Sequence, residues 1–298
     1  MYRFSKKALK FTKIAIAAVI LITAVYLVLS FFLSKNPSNQ SVQDGEDYIR
    51  MLDVGQGDST LITSNGKVCL IDTGTKESAD DLIKKLKSYG VKTIDVLAIT
   101  HFHADHTGGS EKITEEFEVK NLIYPNSKYS STYSEGDRMA RQNVLAEDGD
   151  FYVAKQGMNF NIGAFEITVL GYYHDIDDEN NRSVFYMAKH GKRKALITGD
   201  AETEAENRIL EENINVSCDI LKVGHHGSST STSKKFLTAC NPTYSVISCG
   251  AGNSYSHPHD AVVIRLEKHG TNILRTDISG DITFSFDVNN EITVAKQK

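Results

Sequence analysis

Apolar residues along this chain follow two regimes. Ile14 to Leu33 (IAIAAVILITAVYLVLSFFL) is twenty residues without a charge, whereas from Tyr48 onward apolar residues come in short runs between polar turns. At about 1.5 Å per helical residue the first run spans roughly 30 Å, the thickness of a bilayer core. No polar face interrupts it, which sets it apart from a buried core helix. Arg3, Lys6, Lys7, Lys10 and Lys13 precede the run and only Lys35 stands just after it. The positive-inside rule therefore puts residues 1–13 in the cytoplasm and everything after residue 33 outside the membrane. The run is longer than a usual signal core and no A-x-A-like site follows, which favours an uncleaved anchor over a removed signal peptide. Residues 34–47 are mostly polar and read as a linker.

The remainder, 48–298, alternates strand and helix patterns. YIRMLDVG, STLITS and VCLID read as strands, with GQGD as the turn after the first. Helix 78–89 (SADDLIKKLKSY) opens on Ser78, places Leu82, Ile83 and Leu86 on one face and stops at Gly90. IDVLAIT is an apolar strand ending at His101, and TGGSEKITEEF opens the next helix. Residues 125–150 are polar and irregular, with a short helix around DRMARQNVLAE, and read as an insertion near the site rather than core.

The pattern resumes with strands FEITVLGYY, SVFYMAK and ALITGD, helix AETEAENRILEEN, strand DILKVGHH and helix SKKFLTAC. Strand TYSVISCG, helix HDAVVIRLEKHG and strands ITFSFDV and EITVAK close the chain. Both halves run mainly strands, then helix, strand, helix. An α/β fold of two sheets packed face to face, with helices outside each, accommodates that order.

Charge divides where the pattern does. Six of the 33 Lys and Arg and none of the 38 Asp and Glu fall in the first 35 residues, so residues 36–298 carry 27 basic against 38 acidic groups, a net of −11. Such a domain is poorly suited to gripping a long polyanion. Cys69, Cys218, Cys240 and Cys249 form no C-x-x-C pair; buried apolar thiols or one disulfide both fit their spacing.

Candidate chemistry concentrates in LAITHFHADHTGG, residues 97–109. Neutral imidazole nitrogens and carboxylate oxygens are ligands for divalent first-row metals. At an extended strand end His101 and His103 project the same way and can hold one ion. Past Ala104 the chain turns, and Asp105 and His106 can face a second. One loop cannot complete two sites, so the missing ligands belong at other strand ends. Asp200 follows ALITG, His225 and His226 follow DILKV, and Asn180 and Asn181 precede SVFYM, with His174 six residues before Asn180. Each has a plain alternative: a helix cap for Asp200, a polar turn for the histidine pair. Their recurrence at strand ends argues against the plain reading for all of them together.

With these residues in place the chain resembles the metallo-β-lactamase fold family, whose H-x-H-x-D-H signature stands here as HFHADH. Within it, LDVGQGDSTLI, LIDTG, ITHFHADHTGG, NNRSVFY, LITGDAE, ILKVGHHGSSTS, VISCG and NSYSHP resemble the soluble domain of the DNA-uptake channel protein ComEC and its stand-alone relatives. The bacterial phosphorylcholine esterase of cell-wall teichoic acid is similar, less closely. The resemblance implies an αββα four-layer sandwich with two divalent metal ions, zinc or manganese, at one edge. It implies His101 and His103 on the first ion, Asp105 and His106 on the second, and Asp200 bridging. H-H-G-S supplies a further ligand, His225 in preference to His226, with His226 touching substrate or leaving group. Asp72 braces the ligand loop. Asn180 stands where many members place a third histidine, so either its oxygen or His174 completes the first site, and fewer nitrogens loosen the preference for zinc.

Asp58 and Gln56 of DVGQGDS either shape a tight hairpin or reach the metal edge, and His257 of YSHPHD is either a loop histidine or a proton donor to a leaving group. Two ions sharing a water lower its pKa and yield hydroxide at neutral pH. The expected protein is thus a membrane-anchored, extracytoplasmic, binuclear hydrolase, a phosphodiesterase or nuclease. A small cell-wall or lipid phosphodiester is the alternative substrate. A metal-stabilised binding module in DNA uptake is the non-enzymatic alternative, disfavoured by the intact Asp105 and Asp200. KHGKRK (189–194) offers at most a weak nucleic-acid contact, because affinity for a polyanion rests on Lys and Arg neutralising phosphates.

Overall fold

A computed structural model describes residues 47–298. The expected anchor, 14–33, its basic N-terminus and all but the last residue of the linker lie outside the described residues. Among the described residues no helix is long and apolar enough to cross a membrane.

Strands β1 (Asp47–Met51), β2 (Thr60–Ser64) and β3 (Lys67–Ile71) form an antiparallel meander. Helix Ala79–Ser88 leads to β4 (Thr93–Ile94) and β5 (Val96–Ala98). Helix Ser110–Glu116 leads to β6 (Glu118–Val119) and β7 (Asn121–Tyr124), and helix Glu135–Ala146 to β8 (Asp150–Val153). The second half repeats the scheme. β9 (Asn159–Ile162), β10 (Phe165–Gly171), β11 (Phe185–His190) and β12 (Arg193–Ile197) pair antiparallel. β13 (Ile220–Lys222), β14 (Tyr244–Ile247) and β15 (Asn272–Arg275) then add in parallel through helices Thr203–Glu211, Lys234–Cys240 and Asp260–His269. β16 (Ile282–Phe286) and β17 (Ile292–Lys296) return to the first sheet beside β1. The sheet orders are β17-β16-β1-β2-β3-β5-β7-β8 and β15-β14-β13-β12-β11-β10-β9, with β4 and β6 as a separate ribbon.

Side-chain alternation along the strands makes four layers. Ile49, Ile62, Ile71 and Ile123 pack with Ile167, Tyr186, Ile220 and Val246 between the sheets. Their neighbours Leu61, Leu70, Leu97 and Leu122 point outward onto Leu82, Leu86, Ile113 and Val144 of three helices. Phe185, Leu196, Leu221 and Ile247 do the same against Ile209, Leu237 and Leu266. Truncating one such leucine to alanine costs about 2–5 kcal/mol. The expected αββα arrangement is therefore present, and all four cysteines are buried and free.

One expectation is corrected. Residues 125–150 are not an insertion beside the site. A capping box between Ser134 and Asp137 starts helix Glu135–Ala146, and Asn143 Nδ2 donates to Thr114 Oγ1 at 3.1 Å. The segment is the crossover joining β7 to its parallel neighbour β8. Only Ala140 and Val144 give this helix an apolar seam, too narrow for periodicity to reveal.

Candidate metal centre

The site forms where the chain leaves the carboxyl ends of β5, β12, β13 and β14. His103 is still extended (φ −72°, ψ 149°), and the short helix Ala104–Thr107 begins after it. His101 and His103 thus face one way, with His101 Nε2 and His103 Nδ1 3.1 Å apart, while Asp105 and His106 turn to another side. Asp72 holds this turn. Its carboxylate accepts hydrogen bonds from Thr100 N–H at 2.8 Å, Thr100 Oγ1 at 2.7 Å and His106 Nδ1 at 2.8 Å. Gly57 approaches so closely that a Cβ there would lie 2.5 Å from the Asp105 carbonyl oxygen, and its φ is +147°. Asp58 N–H donates to that same carbonyl at 3.1 Å, tying the DVGQGDS turn beneath the ligand turn.

Asp200 lies at the middle of the site, buried, its N–H donating to Ser183 Oγ at 3.0 Å. It caps no helix, because the helix that follows begins at Thr203 with Glu202 before it. His101, His103 and Asp200 present three ligand atoms within 4.8 Å of one another, and Asp105, His106, Asp200 and His226 present four. Asp200 belongs to both groups.

The histidine pair exchanges the positions expected for it. His225 (φ +48°) and His226 (φ +52°) are both left-handed, a conformation uncommon outside glycine and asparagine, so their rings diverge. His226 is buried; Nδ1 donates to the Ser248 carbonyl at 2.9 Å, which leaves Nε2 3.1 Å from Asp105 and 3.3 Å from Asp200. His225 sits at the cleft edge, with Nδ1 3.0 Å from Glu202 Oε1 and Nε2 3.8 Å from Asp200. The motif alone does not disclose two consecutive left-handed residues, so it could not say which ring turns inward.

Asn180 lines the cleft. Its Nδ2 donates to Glu202 at 3.4 Å, and its Oδ1 is buried without a hydrogen-bond partner. His174 does not join the centre: it is exposed, its ring 4.6 Å from that of Tyr129 and 5.9 Å from that of Tyr172. His257 lines the cleft with its ring 5.4 Å from that of His225 and stacked on Tyr255. The whole opening measures about 550 Å³, and among the described residues its lining, which includes Gln56 and Glu77, contains no lysine or arginine. KHGKRK forms the β11–β12 hairpin, at the opposite end of β12 from Asp200.

Electrostatics mark the same residues. Burial depresses His101 well below the ordinary histidine value, with His106 adding to it. Burial also opposes charge on His106 and His226, but Asp200 with Asp72 lifts the first well above the usual range, and Asp200 with Asp58 lifts the second to about 10. Burial would raise Asp105 and Asp200, yet the neighbouring imidazoles hold both well below the carboxylate norm. Burial and the nearby His226 and His225 push His257 down to about 4.

These residues suit a pair of divalent ions. His106 Nε2 and Asp200 Oδ1 lie 3.2 Å apart, both buried, yet neither makes a hydrogen bond. Buried polar atoms are almost always satisfied, and a ring nitrogen and a carboxylate oxygen converging without other partners are a place for a cation that displaces the imidazole proton. Nitrogen and carboxylate donors around a shared Asp200 fit two such ions.

Sequence reasoning missed Lys222 and Glu202. Lys222 is fully buried at the end of β13, its Nζ paired with Asp58 Oδ2, 3.8 Å from Asp200 Oδ1 and donating to the Gly199 carbonyl at 3.1 Å. Burial opposes its charge, but Asp58 and Asp200 outweigh that and raise its pKa. The available signal was one lysine inside the apolar strand DILKV. Asp58 accordingly lies at the floor of the centre, and Gln56 reaches the rim, where its Oε1 accepts from Gly250 N–H at 3.1 Å.

Comparison with known proteins agrees with this geometry. Residues 52–251 match the metallo-beta-lactamase superfamily. The chain is 32% identical over 261 residues to ComE operon protein 3 of Bacillus subtilis, covering 81% of this chain and 33% of that one. It is 32% identical over 263 residues to competence protein ComA of Neisseria gonorrhoeae, covering 87% and 35%. The chain thus spans about a third of the length of these relatives. Among solved structures, the metallo-beta-lactamase fold protein YhfI of Bacillus subtilis superposes with a TM-score of 0.53 at 10% identity, covering 80% of this chain and 100% of that one.

Proposed function

From the premise that this chain belongs to the metallo-beta-lactamase superfamily, we propose that it is a metal-dependent phosphodiesterase held at the outer face of a membrane. The observation that carries the hydrolase reading is Asp200, shared by two ligand groups at the base of an open cleft. His101, His103 and Asp200 would hold one divalent ion, zinc or manganese, and Asp105, His106, Asp200 and His226 the other. When bound, such a pair activates water and offsets the charge that grows on the attacked phosphorus.

The chain's own residues do the rest. Of the two ligand carboxylates lining the cleft, Asp105 is the more open, about a quarter exposed. Its depressed pKa keeps it ionised and able to orient the attacking water. His257, neutral at physiological pH, donates a hydrogen bond to the departing oxygen. His225 is fixed by Glu202 and shapes the rim, and the Asn180 amide beside it supplies a donor to a phosphoryl oxygen. The charge-free run 14–33 and the basic residues before it support the anchor and its orientation.

A relative named for competence and one, in Haemophilus influenzae, named for recombination support DNA as the diester. A second reading has its own observation: a cleft with no lysine or arginine among its described lining residues, in a chain whose residues 36–298 carry a net charge of −11, favours a small wall or lipid phosphodiester. The full-length chain, reconstituted with Mn²⁺ or Zn²⁺, should hydrolyse bis(p-nitrophenyl) phosphate, and Asp200→Asn should not. Cutting of single-stranded DNA in the same assay selects the first substrate class, and turnover of the small diester alone selects the second. Inertness toward both with metal bound would leave a binding module.

A further inference from the structure

Three carboxylates in this centre, those of Asp58, Asp72 and Asp200, are almost wholly withdrawn from solvent, and Asp105 is mostly so. All four meet around His106 and His226. Like charges gathered in a dry site repel strongly, and a lysine buried without a partner is costly. Lys222 answers both problems. It comes up through the sheet on β13, pairs with Asp58, stands 3.8 Å from Asp200 and donates to Gly199, the residue before Asp200. It is buried and does not line the cleft, so its role is not contact with substrate. Gly199 itself has no room to adjust: its φ is +53°, and a Cβ there would lie 2.7 Å from the Thr100 side chain.

We infer that Lys222 is a built-in cation that holds Asp58 and Asp200 in their ligand-side positions before any metal arrives, so that the domain folds without ions and receives them in a prebuilt centre. Lys222 is a positioning residue acting through Asp58 and Asp200. The inference rests on the metal-centre reading above and adds to it the means by which the centre survives empty.

The test is thermal unfolding of the full-length chain, in EDTA and in saturating Mn²⁺, for the unsubstituted protein, Lys222→Met, and Lys222→Met with Asp58→Asn. Lys222→Met should lower the midpoint in EDTA by roughly 10 °C or abolish folding, the effect of breaking a buried ion pair. Mn²⁺ should restore more than half of that loss, because divalent ions then offset the same carboxylates. The double variant removes the lone carboxylate along with the lysine and should regain most of the loss in EDTA with no metal added. Equal loss by Lys222→Met in EDTA and in Mn²⁺ would overturn the inference, as would a double variant no more stable than the single. If the unsubstituted chain binds neither Mn²⁺ nor Zn²⁺ by calorimetry, the metal-centre reading itself fails, an outcome distinct from either.

Discussion

His106 Nδ1 donates to Asp72 at 2.8 Å while Nε2 of the same ring faces Asp200 at 3.2 Å. One carboxylate fixes the tautomer and the ring plane, and the other shares the ligand position. Partners of this kind, one bond removed from a metal, commonly contribute 10- to 100-fold in affinity. Asp72 also has φ +63°, which asparagine tolerates and alanine does not. Asp72→Asn should therefore keep the fold and weaken Mn²⁺ or Zn²⁺ binding by about 10- to 100-fold, read by isothermal titration calorimetry. Unchanged affinity would show that Thr100 and packing alone orient the ring.

The two adjacent histidines should behave differently. His226→Ala removes a buried nitrogen 3.3 Å from Asp200 and should cost bound metal, counted by mass spectrometry, together with turnover. His225→Ala removes a half-exposed ring tied to Glu202 and should leave the metal count intact while lowering kcat/KM. Equal metal loss in both variants would place His225 among the ligands.

Stability should depend on pH in opposite directions with and without metal. His226 has its folded pKa raised from 6.5 to about 10. Its contribution is full below pH 6.5 and disappears as pH rises through the folded value. In EDTA the unfolding midpoint should thus fall from about pH 6.5 to about pH 10. Divalent ions compete with protons for His106 and His226, so the stabilisation they add should grow across the same window. Midpoints that run parallel in EDTA and Mn²⁺ would contradict this.

The proposed anchor at 14–33 and its proposed orientation yield a cellular prediction. Protease added to intact cells should digest the domain 48–298, and blotting with an antibody against it should show the loss. Protection in intact cells, with digestion only after lysis, would reverse the orientation.

Local sequence signals account for most of what could be read beforehand. The layers were legible because strands such as VCLID and ALITGD are short apolar runs whose alternate residues serve two cores. The ligand turn was legible because its four residues fall within six positions and their directions follow from a strand passing into a helix at Ala104. Asp200 was legible from its place after an apolar strand. The inward turn of His226 was not, since it depends on backbone dihedrals that neither residue type favours. His174 seemed near enough in sequence to help, yet Tyr129 and Tyr172 take its ring. Lys222 and β7, β8, β9 and β15 were obscured for one reason: tertiary partners stabilise them, and four-residue strands or a single lysine carry little local pattern.

The central claim is a pair of cations around Asp200. Crystals of the chain grown with Mn²⁺ and measured at the manganese absorption edge would test it most directly. The account predicts two anomalous peaks, one between His101, His103 and Asp200, the other between Asp105, His106, Asp200 and His226. A map with no peak at Asp200, or with manganese only at surface carboxylates, would contradict it.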